Sequence, residues 1–279
     1  MFTPYDPKGV FFNFLKNYKK YKSGTKHQLA ICYKNFTNKE IIFYRRILKK
    51  KKIKYIEFVD PEIKNDYDFG SYIRFAKLYS EYLIFFMNCH SYPIVKNWLK
   101  LIKKNYKKKT FIGTTGSYES ISSNSKYRYQ TDSYLKYFLT RLFYIIKFPL
   151  FPNPHIRSAN FFISAKDFLS YPFEKNYKKK YHTWFTESGR NSMTVFFQKK
   201  KYNLLIVNSD GNAFSEKNWK FSETYCYKNQ NKLIVSDKHT RNYLSLPNKF
   251  RVKKKKNCLG LMIYLPYFVK LLLVKYVSK

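Results

Sequence analysis

Residues 68–91, reading DFGSYIRFAKLYSEYLIFFMNCHS, constrain the fold more than any other stretch of this chain. Asp68-Phe69-Gly70-Ser71 reads as a turn, and 72–79 as a helical segment. An apolar run over 82–87 then stops at the polar cluster Asn88-Cys89-His90-Ser91. Such a run, cut off by polar residues, is the pattern of a buried strand. Polar side chains at the C-terminal end of a buried strand sit where open α/β sheets bind ligands. The expectation is a sheet strand with a candidate site at its polar end.

The flanking sequence agrees with this. Strands are expected over 27–33, 53–59 and 110–113, and helices over 10–21, 38–50 (with Asn38 as N-cap) and 94–106. Strand–helix alternation across the first 120 residues predicts an α/β fold, a mostly parallel central sheet flanked by helices. A Ser/Asn-rich loop follows over 120–133. A helix over 134–148 carries an apolar stripe, Leu135, Phe138, Leu139, Leu142, Phe143 and Ile146, which reads as core-facing. Pro149, Pro152 and Pro154 end it. A strand over 155–164, helices over 165–169 and 191–199, and short strands over 204–207 and 232–235 complete the pattern. Asn208-Ser209-Asp210-Gly211 is a strong turn signal.

Composition separates the function classes. A hydrophobic content of 44% in 279 residues excludes a disordered chain and supports a substantial core. Lys+Arg number 55 against 17 Asp+Glu, a net charge of +38. That excess fits a polyanionic partner, with an anionic membrane surface its best use. It equally fits the Lys, Asn, Tyr, Phe and Ile preference of an AT-rich genome. The lysine runs are scattered and Lys outnumbers Arg, whereas phosphate and base recognition favours Arg. No RRM, KH or helix-turn-helix signature accompanies the charge, so nucleic acid is not the expected partner. Cys32, Cys89, Cys226 and Cys258 have no zinc-like spacing, and most read as small buried hydrophobes. The first 22 residues lack an uninterrupted apolar core, so a reducing, cytoplasmic setting is expected. The tail over 259–277 is apolar but broken by Pro266, Lys270 and Lys275. It reads either as an interfacial anchor, peripheral at the inner face of the cytoplasmic membrane, or as a packed C-terminal helix.

Five segments, in order, carry a resemblance: DFGSY at Asp68, FMNCHS at Phe86, IGTTGSYES at Ile112, FPNPHIRSANFFIS at Phe151 and ESGRNSMT at Glu187. Together they resemble a family-2-like glycosyltransferase of GT-A fold, of the bacterial surface-polysaccharide type related to the rhamnan-synthesis proteins. The resemblance implies a GT-A (nucleotide-diphospho-sugar transferase) domain over 1–250 and a basic, apolar tail over 251–279. It implies a nucleotide-sugar donor and a surface-glycan or lipid-linked acceptor. Phe36 and Asp60 would flank the base and ribose. Asp68, Gly70 and Ser71 would approach the donor, with Gly70 letting backbone come close to it. Asn88-Cys89-His90 falls where GT-A enzymes carry Asp-x-Asp, the pair that holds Mg²⁺ or Mn²⁺ against the diphosphate, with Ser91 beside it on the donor side. Here an amide and an imidazole replace the carboxylates. Either a metal is held differently, or Lys and Arg side chains neutralise the diphosphate instead.

The resemblance further implies that Glu187, expected at a helix start, is the general base of an inverting transfer. A first-turn carboxylate also caps a helix favourably, so both roles stand. Arg190, one turn on, would orient Glu187 or bind phosphate. Ser117 and Glu119 would shape the acceptor cleft, and His155 and Arg157 would line the acceptor or diphosphate side. The competing reading is a catalytically degenerate GT-A-like protein that binds glycan or nucleotide without turnover.

Overall fold

The structure, a computed structural model, describes residues 8–62, 66–124, 134–175 and 177–259. Its first unit runs α1 (Lys8–Lys20), β1 (Ala30–Tyr33), α2 (Asn38–Lys50) and β2 (Ile56–Val59). β1 and β2 pair in parallel, Ala30 opposite Ile56 and Tyr33 opposite Val59. Ile41, Tyr44 and Leu48, spaced by three and four, form the buried stripe of α2. Thr37, not Asn38, is its N-cap. The Thr37 hydroxyl accepts from the Glu40 amide at 3.3 Å while the Glu40 carboxylate accepts from the Thr37 amide at 2.8 Å. That reciprocal box satisfies two otherwise orphaned groups, which Asn38 could not do from one residue further on.

Next come α3 (Tyr67–Leu78), β3 (Leu83–Met87), β4 (Tyr92–Pro93), α4 (Trp98–Lys103), β5 (Thr110–Gly113) and β6 (Gly116–Ser117). The expected turn at 68–71 is instead the first turn of α3. Gly70 is needed inside the helix because a Cβ there would collide with the Asp66 carboxylate folded against it. α4 is shorter than the expected 94–106, since 92–93 is drawn into strand pairing with a later segment.

The chain continues through α5 (Ile121–Asn124), α6 (Tyr134–Lys147), β7 (His155–Ile156), β8 (Asn160–Ser164), α7 (Ala165–Leu169), α8 (Lys180–Ser188), α9 (Met193–Lys199), β9 (Asn203–Val207) and β10 (Ala213–Ser215). A 3₁₀ segment (Glu216–Ser222), β11 (Val235–Ser236), α10 (Lys238–Ser245) and α11 (Asn248–Leu259) close it. The single strand expected over 155–164 is two strands, split at Arg157–Ala159. The turn signal at 208–211 is borne out. The Asn208 amide oxygen accepts from the amides of Asp210 and Asn212, Gly211 takes a φ of +78°, and β9 and β10 pair antiparallel.

The main sheet has the order β10-β9-β5-β8-β3. It is mixed, not mostly parallel: β5 and β9 run parallel, but β8 runs antiparallel to both β3 and β5. Hydrophobic periodicity reports which face a residue occupies and is silent on strand direction. Here direction follows from the connection: the chain leaves β5, passes through α5 and α6, and comes back to the same edge of the sheet. Phe161 and Ile163 of β8 face α3, α7 and α9, while Phe162 faces α4. Helices therefore cover both faces, and much of the aromatic content is core. Phe86 stacks between Phe161 and Phe168 at ring distances of 4.9 and 4.7 Å.

Hydrogen-bonded pairing does not join β1 to β3. A cavity of about 560 Å³, largely apolar, is lined by 28–32 on one side and 82–88 on the other. The α6 stripe departs most from expectation. Leu135, Phe138, Leu139, Leu142, Phe143 and Ile146 are exposed, and Tyr144 and Phe148 face the core instead. α11 crosses the boundary drawn after residue 250 and packs Cys258 and Leu259 against Tyr225 and Tyr243. The tail from 260 onward lies outside the described residues, as does 125–133 of the expected loop. Among the described residues no helix is long and apolar enough to cross a membrane.

Candidate functional site

One edge of the assembly collects the polar residues. It comprises the C-terminal ends of β1, β2, β3 and β5 and, because β8 is antiparallel, the residues just before β8. The edge holds two charge clusters of different character.

The first lies beyond β1 and β2. Lys34 follows β1 and Asp60 follows β2, so parallel pairing brings their side chains together. The buried Asp60 carboxylate accepts from Arg74 Nε and Nη2, each at 2.7 Å, from the Ser71 hydroxyl, and from the Glu62 amide at 3.0 Å. Arg74 Nη1 donates to Asp66 at 2.6 Å, and Asp66 also pairs with the buried Lys34 ammonium. Burial alone would raise the Asp60 carboxyl, but the Arg74, Ser71 and Glu62 hydrogen bonds outweigh it and hold the pKa below the usual carboxylate range. Two cations and two carboxylates form a neutral clamp in which both Asp60 oxygens are hydrogen-bonded. Asp60, Gly70 and Ser71 thus serve the joint between β2 and α3, and leave no acceptor open toward a donor. Phe36 packs edge-on against Tyr33 and Tyr44 in the neighbouring core.

The second cluster lies where β7, β8 and α8 meet. Glu187 is in the last turn of α8, not at a helix start. α9 begins at Met193 with Ser192 as its cap, so Glu187 has no N-capping role. A carboxylate near a helix C-terminus opposes the helix dipole. It is held there by Ser158, whose amide donates to Glu187 Oε2 at 2.9 Å and whose hydroxyl donates to the same oxygen. The buried His155 ring lies with Nε2 at 4.0 Å from Glu187 Oε1. His155 Nδ1 is 2.8 Å from the Asn153 carbonyl, which can only accept, so Nδ1 carries the proton and Nε2 the lone pair. Burial lowers the His155 pKa, with Glu187 opposing, so the ring is neutral near pH 7.

Asp68, in the first turn of α3, is half-buried and makes no hydrogen bond or ion pair among the described residues. Burial raises its pKa; Lys34 pulls it down and Glu187 pushes it up. Asp68 and Glu187 are thus close enough to sense each other; Glu187 is engaged by Ser158 on one oxygen, and Asp68 by no described residue. Nearby, the buried Asn160 amide and the Thr114 hydroxyl also lack hydrogen-bond partners among the described residues.

The remaining expected residues hold structure. Asn88 Oδ1 accepts from the His90 amide at 3.2 Å and the Ser91 hydroxyl at 2.6 Å, closing the turn after β3. The His90 carbonyl accepts from Arg241 at 2.9 Å, while burial, Lys238 and Arg241 lower its ring pKa. Arg157 pairs with Asp237 at 2.9 Å and lies 4.1 Å over the Tyr225 ring. Asp237 in turn caps α10 through the amides of His239 and Thr240. Arg190 does not reach Glu187. Its Nε and Nη2 donate to the carbonyls of Ile146 and Ile145, each at 2.9 Å. The Ser117 hydroxyl accepts from the Glu119 amide, and Glu119 pairs with Lys254 of α11 at 3.0 Å.

For a divalent metal the donor set fits poorly at the expected position, since the Asn88 amide oxygen is spent on its own turn. Among the described residues no group of three His, Cys, Asp or Glu side chains converges as ligands would. Sequence reasoning missed Ser158, Lys34, Arg74, Lys238 and Arg241. Ser158 stood inside a quoted segment. Asp237-Lys238-His239-Thr240 carried a capping signature that would have located α10. No family model, curated protein or solved structure matches the chain.

Proposed function

We propose that this protein is a GT-A-type glycosyltransferase that moves a sugar from a nucleotide-sugar donor to a hydroxyl of a surface-glycan or lipid-linked acceptor. One observation carries the proposal: Glu187, at the disfavoured end of α8, is fixed by Ser158 beside a neutral His155, and its charge is felt by Asp68, which makes no hydrogen bond or ion pair among the described residues. A mixed sheet covered by helices on both faces is compatible with the fold the resemblance implies.

In this mechanism Glu187 takes the proton of the acceptor hydroxyl. The acceptor oxygen attacks the anomeric carbon, the bond from that carbon to the donor phosphate oxygen breaks, and the nucleoside diphosphate leaves with inversion. Ser158 keeps one carboxylate oxygen occupied, so the other serves as the base. Neutral His155 puts no positive charge beside that base. Asp68 accepts a hydrogen bond from a donor hydroxyl. Lys238 and Arg241, one turn apart on α10 and beside His90, offset the charge of the leaving diphosphate. No step runs through a metal.

The test is turnover of UDP-, GDP- and dTDP-sugars by the full chain, with Mg²⁺, with Mn²⁺ and without either, compared with Glu187→Gln. Turnover unchanged in the variant removes Glu187 as the base. Commitment of Asn88 to its own turn favours a second reading, a binding protein without turnover. Tight nucleotide binding with no hydrolysis or transfer in any arm would establish that one instead.

A further inference from the structure

α6 presents its apolar side to solvent. On a wheel of 3.6 residues per turn, Tyr144 and Phe148 mark the side that packs on the fold, against Ile121, Trp184 and Phe185. On the opposite side Leu135, Phe138, Leu139, Leu142, Ile145 and Ile146 cover an arc of roughly 120°. All six are exposed, Leu135 at 66% and Ile146 at 58%. Leu150, 61% exposed, follows just past the helix. Arg141 borders the arc on one side and Lys136 and Lys147 border it on the other, and α6 contains no acidic residue.

The helix is held firmly in this orientation. Arg190 binds its last carbonyls from outside the helix, and the Ser122 hydroxyl donates to the Phe148 carbonyl at 3.2 Å. A contiguous apolar surface of this kind on a fixed helix marks an interaction site. The charge chooses the partner. Two copies of a chain of net charge +38, meeting through arcs bordered by cations among the described residues, would repel one another. An anionic surface with an apolar interior satisfies both the arc and its border.

We infer that α6 lies flat in the surface of an anionic phospholipid bilayer. The apolar arc enters the acyl boundary, and Lys136, Arg141 and Lys147 extend to the headgroup phosphates. α6 packs directly on α8 through Phe143, Phe148 and Phe185, so the helix bearing Glu187 would be held close to the membrane. The inference does not depend on the proposed sugar transfer.

The test is co-sedimentation of the full chain with phosphatidylglycerol–phosphatidylcholine vesicles and with phosphatidylcholine vesicles alone. Binding to the anionic vesicles is expected, and Leu142→Glu/Ile146→Glu should lower the vesicle partition coefficient by about tenfold or more. The thermal melt should be unchanged, because both side chains are already exposed. Lys136→Glu/Arg141→Glu/Lys147→Glu should weaken the preference for anionic vesicles, and should do so more than three such reversals among lysines remote from α6. A tail variant, Leu271→Glu/Leu272→Glu, should keep the α6-dependent binding. The inference is overturned if wild type ignores anionic vesicles, if the α6 variant binds as wild type does, or if only the tail variant loses binding. It is equally overturned if wild type is a dimer that the α6 substitutions convert to a monomer, since the face would then belong to a second copy.

Discussion

The clamp beyond β1 and β2 and the cluster between β8 and α8 use the same residue types to opposite ends. In the clamp, Asp60 accepts four hydrogen bonds from protein donors and its pKa falls. In the cluster, Asp68 makes no hydrogen bond or ion pair among the described residues, burial raises its pKa, and Glu187 stands against a helix dipole. A saturated carboxylate stabilises the fold and has nothing left for a ligand. An unsaturated one costs stability and keeps an acceptor available. Counting charged residues near a strand end therefore does not tell which carboxylates are engaged, whereas counting their hydrogen-bond partners does.

The difference can be broken from either side. The largest effect is expected at Glu187: Glu187→Gln should cut sugar transfer roughly 10²–10⁴-fold, the usual contribution of a general base, with little change in the melt. Next is Asp60→Ala, which leaves Lys34 and Arg74 sharing Asp66 alone. It should destabilise the fold by about 3 kcal/mol, read from the urea midpoint, because it unpairs buried charge. If Asp60→Ala left stability intact and instead abolished nucleotide binding, the clamp would be a site after all.

Asp68→Asn should behave in the opposite sense. Replacing a half-buried carboxylate whose charged form burial disfavours should stabilise the chain by about 1 kcal/mol, while losing the proposed hydrogen bond to the donor should raise its KM by about tenfold. The smallest effect is the pH response of His155. Its folded pKa lies below the value of about 6.5 for a free histidine, so the unfolded chain binds the extra proton between the two values. Stability is then fully present above about pH 6.5 and declines as pH falls toward the folded pKa. His155→Asn should flatten part of that slope in urea titrations at graded pH. His90 and His239, whose pKa values burial also lowers, contribute to the same slope.

Much of this was legible in the chain itself. Apolar runs and their polar stops located β3, β5 and the hairpin after β9, because burial and turn chemistry are local properties. The candidate edge was legible for the same reason: a strand's polar end is written in consecutive residues. Side-chain allegiance was not. Arg190 and Glu187 are three residues apart, yet Arg190 binds the end of α6 and Glu187 binds Ser158. Asp60 finds Arg74 fourteen residues later, and Arg157 finds Asp237 eighty residues later.

The sequence by itself determined that this chain forms an α/β sheet and that polar groups gather at the C-terminal end of β3. Patterning alone requires both. Tertiary structure decided that the sheet is mixed, because strand direction depends on the route of the connection. It decided which carboxylates are spent and which are open, because that depends on partners distant in the chain. It also turned the α6 stripe outward: periodicity defines an apolar face, but only packing says whether protein or something else covers it.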